Sequence, residues 1–182
     1  AIRKRYIFPC YFGSALKLTG IEVLMDGMAR YMECPVYGAE FGAKVYKISR
    51  DEQGNRMTHL KITGGSLKVK AVLKHHSGKE EKVNQVRIYS GAGYQTVPEV
   101  VAGEICAITG LEESYSGEGF GIEHDSELPI LEPVLSYRLI LPKDCNVHEV
   151  WSQLKQLEEE DPLLKLAWHE ATGEIHIQVM GE

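Results

Sequence analysis

The spacing of apolar positions divides this 182-residue chain into three parts. In the first part, residues 1–35, an almost wholly apolar run over residues 6–12 predicts a strand buried on both faces. After a break of small residues, apolar side chains recur at helical spacing over 21–32, behind Thr19 as the predicted N-cap. Pro35 ends this helix. The first part therefore predicts one strand–loop–helix (βα) unit.

Short alternating segments with glycine turns between them fill the second part, residues 36–128. Alternation of apolar and polar residues is typical of strands that bury one face. Many short strands at close spacing predict a small closed β-barrel. Within this part, residues 75–79, which include His75 and His76, are predicted to form a solvated polar loop.

The third part, residues 129–182, predicts elements in the order βαββ. A strand over 134–141 precedes a helix that Asn146 can cap, with a glutamate three residues later as the capping-box partner. Two further strands follow, joined by a hairpin turn at residues 170–173. The acidic run at residues 158–161 ends the helix. We expect this run to be solvated, and the alternative is a site for a cation or a partner.

Composition sets limits on the partners of the chain. A hydrophobic content of 43% and a charged content of 25% are ordinary for a globular protein. The net charge of −6 means that the whole chain does not attract RNA or anionic membrane, so any RNA contact requires a local basic patch. The alternative is a set of surface lysines balanced by nearby acids. The candidate patch is Lys44, Lys47, Arg50, Lys61, Lys68 and Lys70.

The four cysteines, Cys10, Cys34, Cys106 and Cys145, are scattered without a Cys-x-x-Cys pair, which predicts reduced thiols and neither disulfides nor a metal site. The adjacent histidines also predict no metal site, because neighbours in a strand point to opposite faces. The sequence has no secretory signal and no apolar run of membrane-spanning length. We therefore expect a cytoplasmic protein without a membrane partner.

The small-residue break carries a first resemblance to a known family. Gly13-Ser14-Ala15-Leu16 resembles the last guanine-recognition loop of translational GTPases, whose core is Ser-Ala followed by Lys or Leu. The resemblance implies that the backbone N–H of Ala15 meets the guanine O6 and that Ser14 braces the loop, with Leu16 completing the motif. The alternative is a plain turn of small residues between a strand and a helix.

The second part resembles domain II, the β-barrel that follows the GTPase domain in elongation factor G. The similar segments are residues 41–48 and 99–105, the latter followed by Gly110-Leu111. This sequence departs from the family at Lys70-Ala71 and at Gly119-Phe120-Gly121, two positions expected to be turns.

The third part resembles the start of domain III of elongation factor G and of the tetracycline-resistance ribosomal protection proteins. Residues 157–164, 170–174 and 180–182 carry this similarity. The resemblance implies a ferredoxin-like βαββαβ domain, of which Gly181-Glu182 would open the second helix. The chain would then hold only the first half of that domain, and we expect disorder or self-association through the hairpin over residues 163–180.

The resemblance implies a mainly β fold with α+β parts: one βα unit of a P-loop GTPase domain, a translation-factor β-barrel and a partial ferredoxin-like unit. It implies an internal fragment of a ribosome-associated, GTP-binding translation factor. The cofactor of the parent protein would be GTP with magnesium. Its partners would be guanine nucleotide and the RNA and protein of the small ribosomal subunit. Translocation of tRNA and tetracycline resistance both remain open.

GTP hydrolysis requires sequence motifs that are absent here. The sequence contains no GxxxxGK followed by Ser or Thr, no Asp-x-x-Gly before a helix and no Asn-Lys-x-Asp. We therefore expect the parent to be a GTPase and this chain to be inactive alone, without a catalytic residue or a bound cofactor. The alternative from another class is a stand-alone β-barrel that binds protein or RNA and has no GTPase activity.

Overall fold

The computed structural model describes residues 1–2, 4–33, 35–91, 93–127, 132–142 and 144–181. These residues form two compact units, Ala1–Val36 and a larger one that begins at Tyr37. Cys34, Glu182 and the predicted boundary between residues 128 and 129 lie outside the described residues. No described helix is long and apolar enough to span a membrane.

The first unit contains helix α1 (Ile21–Tyr31), but the strand predicted before it is not formed. Residues 6–12 form bends and irregular chain, and the first unit's only β-bridge among its described residues joins Ser14 to Thr19. The prediction was wrong because an apolar run becomes a strand only where a neighbouring strand supplies hydrogen-bond partners.

The helix begins one residue later than predicted. Gly20 is the N-cap, with φ 77° and no side-chain capping bond. Thr19 cannot cap the helix because its backbone is paired with Ser14. The close turn requires glycine, since a Cβ on Gly20 would lie 2.5 Å from the Phe12 carbonyl oxygen.

The second unit begins with a barrel of antiparallel strands. Its strands are β1 (Gly42–Arg50), β2 (Arg56–Gly64), β3 (Ser66–Lys68), β4 (Val72–Lys74), β5 (Glu80–Lys82), β6 (Gln85–Ser90), β7 (Gly93–Val97), β8 (Glu99–Val101), β9 (Ile105–Thr109) and β10 (Gly119–Gly121). Six strands form one sheet in the order β10-β1-β2-β9-β6-β7, and β3–β8 and β4–β5 form two ribbons. The predicted barrel is therefore confirmed.

The inward faces of these strands form one core. Leu60, Ile62, Val86, Ile108 and Phe120 are each at most 1% exposed. Burying an aliphatic or aromatic side chain of this size contributes about 1.5–3 kcal/mol. Phe120 belongs to a strand and not to the turn predicted there, because β10 pairs with the start of β1. Lys70 does lie in a turn, with φ 69°.

A β-bulge in β1 sets the outer face of the sheet. Between Val45 and Lys47 the register with β2 shifts by one residue, which leaves Tyr46 unpaired. Val45 and Ile48 are buried, whereas Tyr46 and Lys47 are both exposed. The bulge therefore places two consecutive side chains on the outer face, opposite His59.

The third part of the chain has the predicted order βαββ. Its elements are β11 (Leu135–Leu139), α2 (Val147–Glu160), β12 (Lys165–His169) and β13 (Glu174–Val179). The strands form an antiparallel sheet in the order β11-β13-β12. As predicted, Asn146 caps α2: its side-chain oxygen accepts the His148 N–H at 3.1 Å, and its amide donates to Glu149 at 3.2 Å.

The acidic end of α2 is not simply solvated, so the expectation from the sequence was wrong. The Glu159 carboxylate accepts hydrogen bonds from Arg50 and Arg56 of the barrel, both at 3.1 Å. Glu158 accepts the backbone N–H of Leu166 at 2.9 Å. The acidic run therefore ties α2 to the ends of β1 and β2 and to the strand that follows the helix.

Candidate functional site

Three of the predicted basic residues share the outer face of the barrel sheet. Lys44 on β1 and Lys61 on β2 are direct cross-strand partners, and Lys47 pairs with His59 next to them. The Lys44 and Lys61 ammonium groups donate to the backbone carbonyls of His124 and Gly103, which draws the two like charges apart. The three lysines form one patch, the β1–β2 lysine patch.

The other three predicted members do not belong to this patch. Arg50 is engaged with Glu159 of α2. Lys68 lies on the β3–β8 ribbon, 3.7 Å from Glu99. Lys70 is exposed in the turn after β3. The sequence therefore predicted a single patch of six, of which the structure brings together half.

Four aromatic rings continue the same outer face across the sheet. Ring centroids are 5.9 Å apart for Tyr46 and His59, 6.1 Å for His59 and Tyr89, and 5.3 Å for Tyr89 and Tyr94. Ala107 of β9 pairs with His59, and its small side chain leaves room for the rings on either side to meet. We call these four residues the aromatic row; it was not predicted from the sequence, because it depends on strand register.

His59 is the fixed member of the aromatic row. Its Nε2 lies 2.7 Å from the Ser49 hydroxyl oxygen. Burial, and then the positive charge of Lys47, lower the pKa of His59 below its usual value. The lowered pKa favours the uncharged ring, so the exposed cations beside His59 on this face are lysines.

A buried arginine braces the other end of the row. Arg87 is 6% exposed and its guanidinium carbon lies 4.4 Å from the centroid of the Tyr94 ring. The guanidinium also donates to Asp51 at 3.1 Å and to Gln85 at 2.9 and 3.1 Å. A depression of about 440 Å³ opens beside it, between Asp51, His59, Tyr89 and Tyr94.

The predicted guanine loop is a compact turn. Ser14 and Thr19 exchange backbone hydrogen bonds of 2.9 and 3.1 Å, and the Ser14 hydroxyl accepts the Lys17 N–H at 3.4 Å. Among the described residues, no hydrogen bond from the Ala15 N–H is formed, and Leu16 is 94% exposed. A braced loop with a free N–H at Ala15 fits the guanine contact that the resemblance implies.

The loop predicted at residues 75–79 is exposed over residues 76–79, but His75 at its start is buried. Its Nδ1 lies 2.7 Å from Glu118 and its Nε2 lies 2.8 Å from Glu81, with all three side chains at most 7% exposed. Burial raises the pKa of Glu118, against the opposing effect of His75. The alternation in β4 explains the position, because His75 shares the inward parity of buried Leu73. His76 points outward and lies 3.0 Å from Asp125.

Comparison with known proteins identifies the barrel. Residues 40–120 match the family model of elongation factor G domain 2. Over the whole chain, 28% of residues are identical to mitochondrial ribosome-releasing factor 2 of Drosophila yakuba. The tetracycline resistance protein TetP of Clostridium perfringens is 27% identical over 99% of the chain, and elongation factor G of Mycoplasma pneumoniae is 28% identical over 96%.

The fold is also found among solved structures. A crystal structure of a protein from Thermus thermophilus matches 90% of this chain with 26% of its own, at a TM-score of 0.70 and 23% identity. The chain spans 28–29% of the length of the curated relatives named above. The chain is thus similar over nearly all of its length to elongation factor G and to the other relatives named above, and its residues 40–120 match the model of elongation factor G domain 2.

Proposed function

We propose that this chain is part of a GTP-binding translation factor that acts in the cytoplasm and hydrolyses GTP on the ribosome. The chain would supply contact with the small ribosomal subunit and the connection between domains, and not catalysis. The main support for this proposal is that similarity to elongation factor G and to ribosome-releasing factor 2 extends over 96–100% of the chain. The β1–β2 lysine patch supports an RNA contact, because a chain of net charge −6 needs a local basic surface for it.

The proposal assigns one role to each part. Residues 1–35 would be the last βα unit of the GTPase domain, residues 36–128 domain II and residues 129–182 the first half of domain III. The match of residues 40–120 and the βαββ order of the third part support these assignments. In the complete factor, the third part would transmit movement between the GTPase domain and the remaining domains.

The guanine loop is the nucleotide contact of this proposal. The Ala15 N–H would donate to the guanine O6, and Ser14 would hold the loop in shape through Lys17. Magnesium would neutralise charge on the triphosphate of GTP. The sequence offers no phosphate-binding motif. Ser14, Ala15 and Leu16 would therefore contact only the base of the nucleotide and not its phosphates.

Removing the lysine patch is expected to weaken binding to purified small ribosomal subunits about tenfold at low salt. The variant is Lys44→Gln/Lys47→Gln/Lys61→Gln, and co-sedimentation across a salt series measures it. Three lost phosphate contacts would also reduce the slope of log affinity against log salt by about 3.

The matched control removes the same charge elsewhere, in Lys68→Gln/Lys70→Gln/Lys74→Gln, and should bind as the wild type does. Equal losses in both variants would mean that net charge and not this face governs binding. No binding of the wild-type chain to small subunits would remove the proposed docking role.

Ser14→Ala tests the nucleotide contact. The Ser14 hydroxyl makes one long hydrogen bond on an exposed loop, so the free energy of unfolding should change by less than about 0.5 kcal/mol. In the full factor, the looser loop should weaken GDP binding, measured by titration with a fluorescent GDP analogue. Unchanged GDP affinity would exclude Ser14 from the nucleotide site.

A further inference from the structure

The aromatic row is exposed in a way that core packing does not explain. Tyr46, Tyr89 and Tyr94 are 47%, 41% and 48% exposed, yet with His59 they form one row on a face of the sheet that runs from β1 to β7. Each ring comes from a different strand, so the row exists only in the folded barrel. Neighbouring rings are inclined by 39–56° to each other, so the row offers separate ring faces, each of which is suited to a flat ligand.

Two of the four rings, His59 and Tyr94, are held in place by other side chains before any ligand arrives. His59 is fixed by Ser49, and Tyr94 lies against the guanidinium of Arg87, which Asp51 and Gln85 hold in place. Fixed rings lose little conformational entropy when a ligand binds, which favours affinity. The Asp51 carboxylate forms an ion pair with Arg87, so its negative charge is compensated within the protein.

Cations lie beside one end of the row. The bulge in β1 exposes Lys47 next to Tyr46, and the Lys44–Lys61 pair lies further along the same two strands. Aromatic faces for bases, flanked by ammonium groups for phosphates, are the combination that binds unpaired nucleic acid. A peptide would use the lysines only where it carries acidic side chains, whereas every nucleotide of an RNA strand carries a phosphate.

The need for free base faces distinguishes an unpaired strand from a duplex. In a duplex the base faces are covered by stacking, and only the base edges are open in the grooves. The rings of the row could therefore stack only on bases that are unpaired and unstacked.

We propose that the aromatic row is a stacking platform for unpaired RNA bases, with the phosphates of the same strand on the β1–β2 lysine patch. This inference rests on the proposed function and names the form of RNA that the barrel face recognises: a single-stranded or bulged segment and not a helix. Tyr89 and Tyr94 would stack on bases, and Lys47 would contact the backbone beside Tyr46.

The test uses the 182-residue chain and a fluorescein-labelled single-stranded RNA 12-mer, with the same sequence as a duplex for comparison. Tyr89→Leu/Tyr94→Leu should weaken single-strand binding tenfold or more and leave its salt dependence unchanged, because stacking is lost and phosphate contacts are not. Tyr89→Phe/Tyr94→Phe keeps both aromatic rings and should bind the single strand as tightly as the wild type does. Tyr137→Leu, which removes an equally exposed tyrosine on β11, should have no effect, and urea unfolding should confirm that each variant is folded.

Each outcome decides the platform and the proposed function separately. Single-strand binding unchanged in the leucine variant, or tighter binding of the duplex, would overturn the platform. Small-subunit binding that persists in the same variant would then leave the proposed function standing. Loss of small-subunit binding with intact single-strand binding would assign the row to a ribosomal protein and also overturn the platform. Single-strand binding through the row without any binding to small subunits would support the platform and contradict the proposed function.

Discussion

Replacing His75 by leucine is expected to destabilise the barrel by about 3–5 kcal/mol. The imidazole lies between the Glu81 and Glu118 carboxylates, and Glu118 is only 1% exposed. Removing one partner of a buried ionic group leaves uncompensated charge in the interior, which costs about this much. The second Glu118 oxygen already has no hydrogen-bond partner among the described residues, so the carboxyl group has no alternative contact there to replace His75.

The loss should depend on pH. Burial holds the pKa of Glu118 above its usual value, and His75 opposes this effect. Without His75, the buried carboxyl favours its protonated form more strongly. The stability deficit should therefore be small below the unfolded-state pKa of about 4.3 and should grow as the pH rises through the folded-state pKa. Urea unfolding at pH 4 and pH 7 measures the difference.

The control for His75→Leu is its neighbour, His76→Leu. The side chain of His76 is 51% exposed, and its contact with Asp125 is at the surface, so its loss should cost less than about 1 kcal/mol. Equal losses for His75 and His76, or a His75→Leu deficit that is independent of pH, would contradict the buried network.

Arg56→Met is expected to cost about 2–3 kcal/mol and to release α2 from the barrel. Arg56 donates to the Leu111 carbonyl at 2.9 Å, to the Ser114 hydroxyl at 2.8 Å and to Glu159 of α2 at 3.1 Å, and it also contacts the Ser114 carbonyl. Its side chain is 13% exposed. Methionine fills similar space but leaves these acceptors without a charged donor, and each buried acceptor left unpaired costs about 1–3 kcal/mol.

Arg50→Met is the matched control for this variant. The Arg50 side chain also reaches Glu159, and its other side-chain hydrogen bond among the described residues is to the Gly54 carbonyl, at 3.3 Å. Its loss should cost under about 1 kcal/mol. Limited proteolysis should cut around α2 faster in Arg56→Met than in Arg50→Met. Similar unfolding free energies and cleavage rates in the two variants would contradict the anchoring role of Arg56.

The barrel and the βαββ unit were predictable because their signals are local. Alternation over β1, β2 and β9 defines the inward faces, and Asn146 with Glu149 marks the start of α2. The similarity of residues 40–120 to elongation factor G domain 2 was likewise visible in the turn residues around Gly103 and Gly110. These features depend on residues that are close together in the sequence.

The features that were not predicted depend on contacts between distant residues. The aromatic row requires both the bulge at Tyr46 and the register that pairs Tyr89 with Tyr94. The strand predicted over residues 6–12 failed because strand formation depends on a partner and not on apolar composition alone. The burial of His75 could have been predicted from the sequence, because His75 shares its parity with Leu73. Its two carboxylate partners could not have been predicted, because they depend on the folded structure.

The most direct test of the account compares the reactivity of individual lysines in the free chain and in the chain bound to purified small ribosomal subunits. Both samples are acetylated, and mass spectrometry then measures the extent of modification at each lysine. The central claim is that the outer face of β1 and β2 meets ribosomal RNA. Protection of Lys47 and Lys61 on binding, with Lys68 and Lys74 still reactive, is the predicted result. Protection of Lys68 and Lys74 with Lys47 left reactive would place the ribosome on another face and contradict the account.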